Sequence, residues 1–143
     1  MTAAPDDAQA WAVRRREAAA ERAAALERAQ AAELRRAHDL IEQFIRAATE
    51  RGVRPGPLLA RGYPGRARYR TPLRGWYLRR DQTVGVDADG NFYLLSVPAT
   101  LLARVRGASP VPTDPPLILG RGGRDGESID LADALAHALE PPP

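Results

Sequence analysis

Apolar positions fall into three zones along the chain. From Ala8 to Arg51 there is neither proline nor glycine, and Ala, Glu, Arg and Leu dominate. These are strong helix formers. The pattern predicts one helix over 8–51, about 66 Å long at 1.5 Å per residue. Arg35 with Asp39, Glu42 with Arg46 and Arg46 with Glu50 stand four apart, where side chains on one face can meet. Gly52 supplies the stop signal. The two halves of this helix differ. Leu34, Ala37, Ile41, Phe44, Ile45 and Ala48 recur at spacings of three and four and draw one apolar stripe, so the second half is expected to be buried. Before Leu34 the apolar positions are almost all Ala, apart from Trp11, Val13 and Leu26. Burial there gains little per residue, and no sustained heptad with large a and d residues is present. Residues 8–33 therefore read as a solvated helix or as a docking element for a protein partner or a second copy of the chain.

The second zone, Val53 to Arg80, is punctuated by Arg54-Pro55-Gly56-Pro57, Tyr63-Pro64-Gly65 and Thr71-Pro72. Proline fixes φ and pushes its predecessor towards extended conformations, so loops with short extended pieces are expected. In the third zone Trp76–Arg79, Thr83–Val86 and Asn91–Leu95 are rich in aromatic and β-branched residues and are separated by polar turns. They predict an antiparallel meander with Trp76, Leu78, Val84, Val86, Phe92 and Leu94 on one face. Because Tyr93, Leu95 and Val97 make the third strand apolar on its other face as well, that strand is expected at the centre of the sheet. Pro98 then opens a short helix with Leu101, Leu102 and Val105 inward and Gly107 past its end. Pro116–Leu119 reads as a strand, and Ile129–Leu139 as an amphipathic helix with Ser128 as N-cap.

The fold class expected is therefore α+β: a long N-terminal helix packed by its C-terminal half on a small antiparallel β-meander, with two short C-terminal helices. The segments are a disordered N-terminus over 1–7, a helical arm over 8–51, a basic connector over 52–74, a small α+β domain over 75–140 and a frayed tail over 141–143.

Composition changes this picture in a few respects. A chain of 143 residues has room for one modest core, and 44% hydrophobic with 27% charged residues argues against wholesale disorder. With no Cys there is no disulfide framework, thiolate nucleophile or thiolate metal site, which suits a reducing compartment. The acidic start lacks the basic and apolar regions of a secretory signal, and no apolar run approaches the roughly 20 residues of a membrane span. A cytoplasmic protein without a membrane contact is expected. All 21 basic residues are Arg. A GC-rich coding sequence would favour Arg, Ala, Gly and Pro together, so the placement of the Arg residues is more informative than their number.

That placement is uneven. From Asp6 to Arg51 nine acidic residues balance nine Arg, whereas Val53–Arg80 carries eight Arg and no acidic residue. Arg54, Arg61, Arg66, Arg68, Arg70, Arg74 and Arg79 are candidate phosphate contacts, with Tyr69 and Trp76 as stacking platforms, the combination used by binders of single-stranded nucleic acid. Alternatively the acidic C-terminal part neutralises them, since Asp81–Pro143 holds nine acidic residues against four Arg. A second candidate is the run from Gly120 to Gly126, where Arg121, Gly122, Gly123 and Arg124 lie between a strand and a helix, as in anion-binding turns. Its spacing departs from G-x-G-x-x-G, and a glycine-rich turn accounts for it. Asp87-Ala88-Asp89-Gly90-Asn91 has the alternating oxygens that open a calcium loop, but Phe92 stands where such a loop needs Gly, and a hairpin turn accounts for it.

Trp76-Tyr77-Leu78 resembles the tripeptide that names the WYL family of ligand-sensing β domains. Three residues carry the resemblance, and it transfers no site. By strand alternation Trp76 and Leu78 are core and Tyr77 half-exposed. His38 and His137 fall on predicted helices outside any nucleophile or metal motif. No residue is assigned a catalytic role, and no metal or cofactor is called for. The expected function is a non-enzymatic interaction or accessory protein that docks a partner or self-associates through residues 8–33. The alternatives are a nucleic-acid-binding protein using Arg54–Arg80, and a small enzyme or anion-binding domain using the Gly120–Gly126 loop.

Overall fold

The structure is a computed structural model that describes residues 5–120 and 128–140. Its contacts divide into two units, one ending at Glu33 and the other beginning at Leu34. Helix α1 spans Pro5–Arg51. Its start is earlier than expected, so residues 5–7 of the segment predicted as disordered are helical. Proline suits the first helical position, and Asp6 and Asp7 suit the positive end of the helix dipole. It ends as predicted: Gly52 adopts φ 71° and Val53 N–H donates to the Ala48 carbonyl at 2.9 Å. In the first unit Trp11, Val13 and Leu26 are exposed, and the Arg15 guanidinium lies 4.5 Å from the centroid of the Trp11 ring.

In the second unit the segment predicted to be a connector forms strands. β1 (Gly56–Tyr63) and β2 (Arg68–Tyr77) are the longest strands of a five-stranded sheet, followed by β3 (Val84–Asp87), β4 (Phe92–Leu94) and β5 (Ser96–Pro98). The prolines that argued for loops sit where a strand tolerates them. Pro57 pairs with Arg74 and Leu59 with Arg70, so Thr71-Pro72-Leu73 bulges opposite Leu58 alone. Thr71 Oγ1 donates to the Leu58 carbonyl and accepts the Leu73 N–H, which replaces ladder bonds lost at the bulge.

The strand order is β4-β3-β2-β1-β5, antiparallel from β4 to β1 and parallel between β1 and β5. The sheet is thus mixed, and it closes. Its two outermost strands are consecutive in the chain, separated by Leu95 alone. The Leu95 N–H donates to Thr83 at 2.7 Å, and its carbonyl accepts the Arg61 N–H at 2.6 Å. The third strand of the meander is therefore an outer strand of the sheet order, and not its centre, yet its continuation joins β1. This explains why it is apolar on both faces.

Two clusters form on the two sides of the ring. Inside, Leu58, Tyr93 and Leu95 pack with Leu73 and Tyr77. Gly85 keeps that space open: a Cβ there would stand 3.1 Å from Leu95 Cδ1 and 2.9 Å from the Trp76 carbonyl oxygen. Outside, Trp76, Leu78, Val84, Val86 and Phe92 pack on Ala37, Ile41, Phe44 and Ala48 of α1, as the stripe predicts. The Phe44 and Trp76 rings meet edge to face at 5.2 Å, and Trp76 Nε1–H donates to the Val53 carbonyl at 3.1 Å. Leu94, expected on this face, is exposed.

Strands β6 (Ile118–Leu119) and β7 (Ile129–Asp130) pair antiparallel ahead of α3 (Leu131–Ala138). Leu119, Leu131, Ala134 and Leu135 complete the outer cluster. Asp130, and not Ser128, occupies the N-cap position of α3. Helix α2 (Leu101–Arg106) departs most from the amphipathic reading, since Leu101, Leu102 and Val105 all face solvent. Its cap is as the chain suggests: Thr100 Oγ1 accepts the Ala103 N–H at 3.0 Å and Gly107 ends the helix. Pro98 is the last residue of β5 and not the helix start.

These placements separate core from surface energetically. Phe44→Ala should destabilise the fold by about 3–5 kcal/mol, whereas Leu102→Ala should stay within about 0.5 kcal/mol of the parent. Urea unfolding of the two variants checks the order.

Candidate anion-binding surface

Paired residues on neighbouring strands share a face. Arg61 pairs with Arg68, Arg70 lies opposite Leu59 and Arg74 opposite Pro57, so four arginines occupy one face of β1–β2. All four are exposed. Arg68 and Arg70 are alternate residues on one strand and stand about 7 Å apart, with Arg61 opposite Arg68 and Arg74 beyond the bulge. Arg61 Nη1 donates to the Asp81 carbonyl at 3.3 Å, and Arg74 Nη2 to the Pro55 carbonyl at 3.3 Å. Arg79 forms an ion pair with Asp81 at 3.5 Å. Arg54, Arg66, Arg68 and Arg70 have no carboxylate partner among the described residues.

Neutralisation by the acidic C-terminal part is thus confined, among the described residues, to Asp81. Burial acts to raise the Asp81 pKa, but hydrogen bonds from Thr83 and the positive charges of Arg79 and Arg61 hold it below the usual carboxylate value. Thr83 N–H and Oγ1–H donate to Asp81 Oδ1 at 3.1 and 2.6 Å. Arg79 is thereby committed to the turn between β2 and β3.

The two aromatic rings expected to stack on bases cannot do so. Trp76 is buried against Phe44, and Tyr69 is only 4% exposed. Tyr69 lies over Gly62, where a Cβ would stand 2.9 Å from its ring. The accessible aromatic of these two strands is Tyr63, 52% exposed as the last residue of β1, where the turn to β2 begins. Pairing reveals this and composition does not, because Ala60 opposite Tyr69 assigns that ring to the inner face. Arg104, on α2, was absent from the sequence candidates, yet it borders the same turn: an open groove of about 410 Å³ lies between Pro64–Ala67 and Ala99–Arg104.

The Asp87–Asn91 turn is a structural device. Asp87 is buried, and its Oδ1 accepts the Asp89 and Asn91 N–H groups at 2.9 Å each. Its Oδ2 accepts Asn91 Nδ2–H at 3.1 Å and the Tyr93 hydroxyl at 2.8 Å. Burial raises its pKa, but these four donors outweigh that and leave it lowered. With both oxygens engaged in the turn, the carboxylate organises the hairpin and offers no cation ligand. Among the described residues no group of three or more His, Cys, Asp or Glu is placed to hold a metal ion. No described helix is long and apolar enough to cross a membrane. His38 and His137 are exposed on their helices. Arg121, Gly122, Gly123 and Arg124 lie outside the described residues.

Comparison with protein-family models, curated proteins and solved structures finds no match for this chain.

The Asp87–Tyr93 bond has a titration consequence. Burial, the hydrogen bond to Asp87 and the charge of Asp87 raise the Tyr93 pKa to about 12. An unfolded tyrosine ionises near 10, so the stabilisation is complete below about pH 10 and is lost as pH rises towards about 12. Absorbance titration should show one of the four tyrosines ionising late, and Tyr93→Phe should remove that late step.

Proposed function

We propose that this protein is a non-enzymatic binding module whose β1–β2 face engages a polyanion, of which single-stranded nucleic acid is the best chemical fit. The observation that carries the reading is the cross-strand pairing of Arg61 with Arg68. Like charges directly opposite one another on a sheet are destabilising, and Arg70 extends the same charge on the same face. A fold relieves such an arrangement with carboxylates or leaves it for an anion from outside. Arg68 and Arg70 have no carboxylate partner among the described residues, which favours the second course. Departures from local consistency of this kind concentrate at functional sites. Arginine binds phosphate oxygens in bidentate fashion, and exposed Tyr63 at the end of the row gives a base a ring to stack on.

A second reading rests on a different observation. Trp11, Val13 and Leu26 are exposed on the helix before Glu33, which suits an accessory protein that docks a partner or a second copy through residues 8–33. The two readings use different units and can both hold.

Charge reversal tests the first. Arg68→Glu places a carboxylate opposite Arg61, so it should stabilise the fold by about 0.2–1 kcal/mol while weakening binding to a labelled single-stranded oligonucleotide. Anisotropy across a salt series should show affinity falling with salt, and Arg70→Ala should reduce the log–log slope by about 0.7. Binding that ignores salt and both substitutions would sink the reading. For the second, light scattering should report a larger species for the full chain than for a chain beginning at Leu34. Equal monomers, with no partner recovered on the helix, would remove it.

A further inference from the structure

The groove between the β1–β2 turn and α2 lies where the arginine row ends, since Arg66 precedes Arg68 by two residues and borders it. Two arginines, Arg66 and Arg104, line it, and no acidic residue does. Tyr69 supplies an independent observation. Its side chain is 4% exposed, its hydroxyl has no hydrogen-bond partner among the described residues, and it lines the groove. Among the described residues no sealed polar side-chain atom is left unsatisfied. The Tyr69 hydroxyl is therefore reached by solvent, through the groove that it lines. A phenol that buries its ring and leaves its O–H unpaired is a preformed donor for something in that groove. Thr100 adds a fourth: its Oγ1 accepts the Ala103 N–H at 3.0 Å, which leaves its own proton free to donate.

Four donors and no acceptor charge define an anion site. Its size and walls narrow the class further. At about 410 Å³ the space is much larger than one phosphate, and Pro64 and Leu101 give it apolar sides. We infer that the groove is a nucleotide subsite, in which Arg66, Arg104, Tyr69 and Thr100 hold a terminal phosphate monoester while the attached sugar or base lies against Pro64 and Leu101. The inference rests on the polyanion reading for its ligand class, and it adds what that reading lacks: recognition of a strand end. A terminal monoester carries more charge than an internal diester and exposes more oxygens, so four donor side chains around one groove favour it over the middle of a strand. The same chemistry could be offered by a free mononucleotide.

The experiment compares single strands of one sequence carrying a phosphate at the 5′ end, the 3′ end or neither, with a mononucleotide and inorganic phosphate as further probes. One phosphorylated strand should bind about tenfold more tightly than the strand with hydroxyl ends, as expected for a pair of charge-assisted bonds. Tyr69→Phe keeps the buried ring and removes only the hydroxyl. It should abolish most of that ratio, as should Arg104→Gln, with each variant's affinity for the hydroxyl-ended strand as its own reference. Equal affinity for all three strands, or a ratio that survives both substitutions, overturns the proposal. If inorganic phosphate protects the fold against heat as well as the mononucleotide does, the nucleotide class is wrong. If no strand binds but the mononucleotide raises the melting temperature of the parent and not of Tyr69→Phe, the reading of the arginine face fails and the subsite stands.

Discussion

Leu95 donates its N–H to one neighbour of the chain and offers its carbonyl to another, and these two bonds close the sheet. On one side Thr83 leads into β3, and on the other Arg61 belongs to β1. A segment of seven residues, Phe92–Pro98, thereby borders both ends of the sheet order in succession. Without that switch β1 would be an open edge, with unpaired backbone groups available to other chains. The outer side of β4 is partly covered as well, because Phe92 bridges to Thr113.

Closure also decides which side chains are inside. A ring this small accepts few large residues, and Leu58, Tyr93 and Leu95 with Tyr77 fill it. The remaining apolar residues of the sheet face outward and need a cover, which Ala37, Ile41, Phe44 and Ala48 supply in the second unit. The helix stripe and the outer sheet face are therefore matched requirements, and the Phe44–Trp76 contact is where they meet. The face bearing Arg61, Arg68 and Arg70 is the part of the ring's outside where charge replaces apolar side chains.

Much of this was legible in the residues. The stripe from Leu34 to Ala48, the stop at Gly52 and the three-stranded meander follow from periodicity and turn chemistry, and all are found. The connector misled because proline and glycine punctuate strands as well as loops: a bulge at Thr71–Leu73 absorbs Pro72, and pairing needs a partner that local pattern does not name. The same lack of partners hid the roles of Tyr69 and Trp76. Each is an aromatic among arginines in the sequence, but register turns Tyr69 to the inner face, while Trp76 shares the arginines' outer face and is covered there by Phe44 of α1. Helix α2 failed differently. Its Leu101, Leu102 and Val105 have the spacing of a buried face, but a six-residue helix after the last strand of the ring meets no second layer. The groove was not legible at all, because α2 is held beside the β1–β2 turn by long-range ties, the parallel pairing of β5 with β1 and the bond from Ala108 N–H to the Arg70 carbonyl.

The absence of lysine gives the arginine row a property that its geometry alone does not. A lysine can be acetylated or, when crowded by like charge, can shed its proton, whereas a guanidinium does neither at any pH at which this fold is expected to persist. The Arg61–Arg68 opposition is therefore permanent. Among the described residues the Asp81 carboxylate near Arg61 is what offsets it, and Arg68 keeps a charge that no titration inside the fold removes.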